Sequence, residues 1–284
     1  MECKLLSHLV SMRLYLCFTL SALLFIQCEQ SSGQDASVTN NNPINEDRLL
    51  IDRFQPPKPY TTQKHSADSF AHFLQTLPLK KPSAQVRYFN GGIKQRNGVY
   101  AAVVDLPIGE RDLHQCADAI IRLRADYLQS QDREDEIGFH FTNGFYCDYA
   151  TWKSGQRPSV NGNTVRWQQG NRNAGNYWKY LETVFAYAGT LSLSQEMTKK
   201  AIADIEIGDV FIRGGAPGHA IIVLNLAENA TGEKVMMLAQ SYMPAQELQI
   251  LNNPTSGNVW YDVPTAGVLV TPEWTFKVTE LKKF

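Results

Sequence analysis

The chain has 284 residues, of which 43% are hydrophobic and 19% charged, enough for a sizeable core and the balance of an ordinary globular protein. Its 27 basic and 28 acidic residues leave a net charge of −1, so no nucleic-acid partner is expected and charge alone draws it to no anionic membrane. Zinc-type Cys/His clusters, Walker loops and dinucleotide glycine patterns are missing from the sequence, so neither a metal nor a cofactor is expected.

Leu14 to Ile26 is an apolar run of thirteen residues, with Lys4 and Arg13 before it. It is short for a bilayer span and suits a secretory signal, whose start is Met1 or Met12. The run leads to Cys28 and then a Ser/Asn/Gln-rich stretch. That order resembles a bacterial lipoprotein signal, which implies lipidation at Cys28; ordinary cleavage within the polar stretch is the alternative. The expected organisation is a signal over 1–28, a disordered tether over 29–46 and a single domain over 47–284. Export to the bacterial outer membrane or cell envelope follows, with the lipid anchor as the sole membrane contact.

In the body, 48–54 reads as a short edge strand. Residues 66–77 carry Phe70, Phe73, Leu74 and Leu77 at helical spacing, with Ser66 as N-cap. Strands are expected over 85–89 and 99–106, joined by an Asn-Gly-Gly turn. The strongest helical pattern spans 111–129: Asp112 caps it, and Leu113, Cys116, Ala117, Ile120, Leu123 and Tyr127 form its apolar stripe. A strand is expected over 137–141 and an aromatic helix over 176–188, while 142–175 shows no strong period. From Asp209 onward the chain reads mainly as strand. The expected class is α+β, with helices in the first two-thirds followed by an antiparallel sheet or half-barrel.

Two cysteines, Cys116 and Cys147, fall within this body, in a compartment that permits disulfides. Cys116 is therefore a nucleophile near a helix N-terminus, an inert member of the stripe, or half of a disulfide. His219 opens an apolar strand and suits proton transfer near neutral pH. A hairpin turning at about 229–232 sets His219 opposite Tyr242 and Ile221 opposite Gln240. Gln240 then sits diagonally beside the imidazole as its orienter, and a one-residue slip would bring Ser241 there instead. In the aperiodic segment Trp152 and Trp167 could stack on sugar rings and Arg157 could bind a carboxylate, although such aromatics also build cores.

The run IGDVFI, then GHAIIV, then LAQSY is similar to the second half of NlpC/P60 and related papain-like amidases. That resemblance implies a papain-like, NlpC/P60-like fold, with Cys116 as nucleophile, His219 as base and Gln240 as third residue. It implies hydrolysis of amide bonds in peptidoglycan peptides or related substrates. The family's Asp-Cys-Ser-Gly is replaced here by Gln115-Cys116-Ala117-Asp118. Over nearly the whole body, the segments DLHQCADAIIRLRADYL, FHFTNGF, YAGTLSLS, GHAIIV and AQSYMPAQ resemble an uncharacterised family of bacterial lipoproteins, the domain of unknown function 4846. The contrasting expectation is a non-catalytic envelope lipoprotein that binds cell-wall glycan or peptide through 142–178.

Overall fold

Ten of the last strand residues before the turn at Asn229, His219–Glu228, form the longest strand of the molecule, and the rest of the fold is arranged around it. The computed structural model describes residues 48–95, 98–170 and 176–284. The expected signal, tether and lipidated Cys28 lie outside the described residues.

The first third contributes α1 (Leu50–Arg53), β1 (Thr61–Thr62), α2 (Phe70–Gln75), β2 (Tyr100–Val103) and α3 (Cys116–Ser130). The middle contributes β3 (Gly138–His140), β4 (Tyr146–Asp148), α4 (Tyr149–Lys153), β5 (Gln156–Asn161), β6 (Thr164–Gln169), α5 (Tyr177–Tyr187), α6 (Thr190–Glu196) and β7 (Thr198–Lys199). The last third is β8 (Val210–Arg213), β9 (His219–Glu228), β10 (Lys234–Gln240), β11 (Gln249–Leu251), β12 (Trp260–Asp262), β13 (Val268–Val270), β14 (Thr275–Lys277) and β15 (Leu281–Lys283).

Nine strands form one antiparallel sheet in the order β2-β11-β10-β9-β8-β15-β7, with β1 added to β9 and β12 to β10. This corrects the expected papain-like, NlpC/P60-like arrangement of a helical segment followed by a sheet. The first two-thirds of the chain is not a helical layer: β1, β2 and β7 hydrogen-bond into the same sheet as the C-terminal strands. Much of the middle spends its backbone groups in the separate hairpins β3–β4 and β5–β6. Among the described helices, α3 and α5 alone exceed seven residues.

Successive strand side chains point to opposite faces, and the two faces bury different partners. Ala220, Ile222 and Leu224 of β9, with Met237 and Ala239 of β10, belong to a core shared with Ala117 and Ile120 of α3 and Leu74 of α2. Ile221 and Val223, with Met236 and Leu238, face a second core containing Phe211, Tyr261, Leu269 and Phe276. Both faces are apolar, which is why β9 reads as a continuous hydrophobic run rather than an alternation.

Several boundaries differ from the sequence reading for local reasons. Residues 48–54 hold a helical turn after a bridge between Leu49 and Pro78, not an edge strand. Ser69, not Ser66, caps α2, its hydroxyl accepting from the His72 N–H at 3.1 Å. Gln85–Phe89 makes only isolated bridges, through Arg87 and Tyr88. Asp112 does not cap α3, which starts at Cys116; its carboxylate accepts from Gln115 Nε2 and from the Ala245 N–H.

Candidate functional site

The site lies where β9 begins. Glycine is required just before it, because a Cβ on Gly218 would stand 2.3 Å from Gly215 O and 2.4 Å from Thr190 Oγ1. This close approach of the β8–β9 connection to the start of α6 sets the entry of His219 into the sheet. At the hairpin, Lys234 pairs with Glu228, and the register shifts by one between Met237 and Leu238. Beyond the shift, Leu238 pairs with Val223 and Ala239 with Ile222, and continuing that register sets Gln240 opposite Ile221 and Tyr242 opposite His219.

In this register His219 and Gln240 meet. His219 Nε2 lies 2.7 Å from Gln240 Oε1, and the Gln240 amide donates to Glu273 Oε2 at 2.7 Å. The amide orientation follows from the carboxylate, which as an anion can only accept. With Oε1 turned to the imidazole, Nε2 must carry the proton and Nδ1 keeps its lone pair. Lys94 completes the chain: its Nζ donates to Glu273 Oε2 at 2.7 Å and to Gln246 Oε1 at 3.0 Å. Lys94, Gln240, Gln246 and Gln249 are all buried, so a charged pair and three amides are held inside the molecule by one another.

The ring of His219 is enclosed by aromatic groups: Tyr242 edge-on at 4.7 Å, Trp274 at 5.3 Å and Phe276 stacked at 5.8 Å. Burial pushes its pKa down to about 4, against smaller upward contributions from Gln240 and Glu273. The imidazole is therefore neutral at physiological pH.

Cys116 is the first residue of α3 and is 7% exposed. The backbone amides of Ala117, Ala220 and Cys116 itself favour the thiolate weakly, without a hydrogen bond to the sulfur among the described residues. Ala220 directly follows His219. Burial, reinforced by the neighbouring Asp118 carboxylate, outweighs those amides and pushes the thiol up to about 11. Cys116 arrives from the α3 side of the sheet, whereas the His219 side chain leaves on the opposite face. Among the described residues no hydrogen bond joins them; the Ala220 backbone stands between. Both body cysteines are free, so the disulfide alternative is not realised.

The residues expected to bind substrate are placed elsewhere. Trp152 is buried in the core at 5% exposure, and Arg157 stacks on its ring at 3.9 Å while donating to the Trp152 carbonyl. Trp167 is half-buried and packs against Phe145 at 5.3 Å. This aromatic segment thus packs into the core, with Phe145 against Phe141 and Tyr149 and Trp152 against Tyr180.

Sequence reasoning did not find Lys94 and Glu273, which lie in loops with no periodic signal. His114, which the sequence leaves as a structural or solvated histidine, is fully buried beside Phe185 with neither ring nitrogen hydrogen-bonded. Among the described residues no group of three or more His, Cys, Asp or Glu is placed to hold a metal ion, and no helix is long and apolar enough to cross a membrane.

Fold and site together define a mixed α/β protein whose antiparallel sheet carries a buried His–Gln–Glu–Lys chain at one end. The chain belongs to the family described as Domain of unknown function (4846), which matches residues 50–283. No curated protein and no solved structure matches it.

Proposed function

We propose that the protein is an exported, lipid-anchored cysteine hydrolase that cleaves amide bonds of peptidoglycan peptides or related substrates. The observation that carries this reading is the convergence of Cys116 and His219 on the start of β9 from the two faces of the sheet. The amide next to His219, that of Ala220, favours a Cys116 thiolate, while His219 has its Nε2–H held by Gln240 and its Nδ1 lone pair unused.

Burial favours the neutral forms of both groups, so the resting pair is thiol and imidazole rather than thiolate and imidazolium. His219 Nδ1 then acts as general base: it takes the S–H proton as sulfur attacks the carbonyl carbon, and returns it to the departing amine. Water, deprotonated by the same nitrogen, cleaves the thioester and restores the thiol. Gln240 keeps the imidazole in the tautomer this requires. The first step needs Nδ1 and the sulfur on one side of the strand, so the start of β9 must move from its resting position for the reaction to proceed.

The test is amide release from peptidoglycan sacculi by the full chain and by Cys116→Ala. Activity is expected to fall at least about 1,000-fold on losing the nucleophile. Unchanged release would reject Cys116. Iodoacetamide labelling of Cys116 gives an independent check of the resting state. Labelling should climb by roughly tenfold per pH unit towards pH 11, whereas a plateau from pH 5 to 8 would mean a preformed ion pair. Binding of cell-wall fragments that survives loss of both Cys116 and His219, without turnover, would favour the glycan- or peptide-binding lipoprotein instead.

A further inference from the structure

A second region, unconnected with the cysteine chemistry, concentrates positive charge around a cavity. Its volume is about 710 Å³, within the range of small-molecule sites, and Arg48, Arg53, Lys80, Lys81 and Arg87 line it. Asp105 is the one carboxylate in the lining, and Glu247 pairs with Lys80 from behind at 2.5 Å. Among the described residues, five cations line or back the cavity against two carboxylates. Arg48, Lys81 and Arg87 are exposed, and among the described residues they form no ion pair.

Like charges at this density repel, and a chain with a net charge of −1 has no general excess of base to explain them. The walls are also held in place. Leu79 N–H donates to Arg48 O at 2.6 Å and Lys80 N–H to Val103 O at 2.9 Å. Val86 N–H donates to the Tyr100 hydroxyl at 3.1 Å, and Arg87 N–H to Glu247 Oε2 at 3.0 Å. Arg53 Nη1 donates to Lys80 O at 2.7 Å, fixing one guanidinium at the rim. The cavity is thus built before any ligand arrives, which lowers the ordering cost of binding.

We propose that this cavity is a binding site for an oligo-anion of the diphosphate class. Guanidinium forks match phosphoryl oxygens in pairs, and three Arg plus two Lys suit a compact ligand carrying two to three charges better than a single carboxylate. The same headgroup could be free in solution or borne on a lipid.

Calorimetric titration of the full chain with inorganic pyrophosphate, and separately with farnesyl diphosphate, tests the site and its source. Both should bind, and Arg48→Gln/Arg87→Gln should weaken them by roughly tenfold or more through loss of charge-assisted contacts. Both arginines are exposed, so the variant should fold. The control Lys199→Gln/Lys283→Gln removes the same charge from an exposed strand pair elsewhere and should stay within about twofold. Tighter binding of farnesyl diphosphate than pyrophosphate assigns the lipid-borne source; equal binding assigns the headgroup alone. No binding of either, or an equal loss in the control, overturns the proposal.

Discussion

Asp118 opposes the chemistry proposed for its neighbour Cys116. Its carboxylate accepts from the Gln115 N–H at 3.0 Å at the start of α3, but its other oxygen is buried without a partner. Burial raises its pKa well above the ordinary 3.8. A raised carboxyl contributes stability below its unfolded pKa and loses it as pH rises towards the folded value, so at neutral pH the buried carboxyl costs stability. The same carboxyl pushes the Cys116 thiol up. Asp118→Asn keeps an acceptor for Gln115 and removes the charge. The variant should melt higher than wild type at pH 7, with the gain vanishing below about pH 4, and its Cys116 should label faster with iodoacetamide at pH 8. A lower melting temperature at pH 7 with unchanged labelling would show that the Asp118 carboxyl stabilises the start of α3 rather than costing stability there. Retention of such a group beside the sulfur is the kind of local cost that accompanies sites rather than plain core.

The β8–β9 junction is where element geometry and site chemistry are hardest to separate. Because a Cβ on Gly218 would meet two backbone carbonyls and the Thr190 hydroxyl, Gly218→Ala must shift the start of β9 and with it His219. A loss of ~1–3 kcal/mol of stability is expected from overpacking, readable by urea unfolding, together with reduced amide release. Full stability would mean the connection yields freely. The hairpin that follows was legible in the sequence because turn residues and an apolar run fix strand pairing, and the expected pairing of His219 with Tyr242 matches the register beyond the bulge. The bulge itself left no mark, since Leu224 and Asn225 look like any strand residues. α3 and α5 were legible through their 3.6-residue spacing. The participation of β1, β2 and β7 in the main sheet was not, because strands of two to four residues carry too little period to assign a partner. For the same reason the loop residues Lys94 and Glu273 became visible only once the chain had folded them against Gln240.

Across the whole molecule, two histidines buried in neutral form should govern the response to acid. His114 is fully buried, and burial, with a smaller contribution from Arg122, pushes its pKa down to about 3; His219 is pushed down to about 4. Both have an ordinary value of 6.5, so below that pH the unfolded chain takes up protons the folded protein refuses. Stability therefore falls as pH drops from 6.5, through about 4 for His219 and on to about 3 for His114. Buried carboxyls with raised pKa values, Asp118, Glu196 and Asp209, act in the opposite sense and soften the net loss, so the total curve does not isolate the histidines. A difference between variants does. Neither ring nitrogen of His114 has a hydrogen-bond partner and the ring packs edge-on against Phe185, so His114→Met keeps an apolar side chain of suitable length there. At pH 8 the imidazole is neutral in both states, and the comparison reads packing alone. At pH 5 the unfolded wild type gains a proton, so the variant should gain on wild type by about 2 kcal/mol relative to pH 8. Urea unfolding of both proteins at the two pH values measures this difference. A difference that does not change with pH would mean that His114 takes up a proton in the folded protein, in contact with water or an anion.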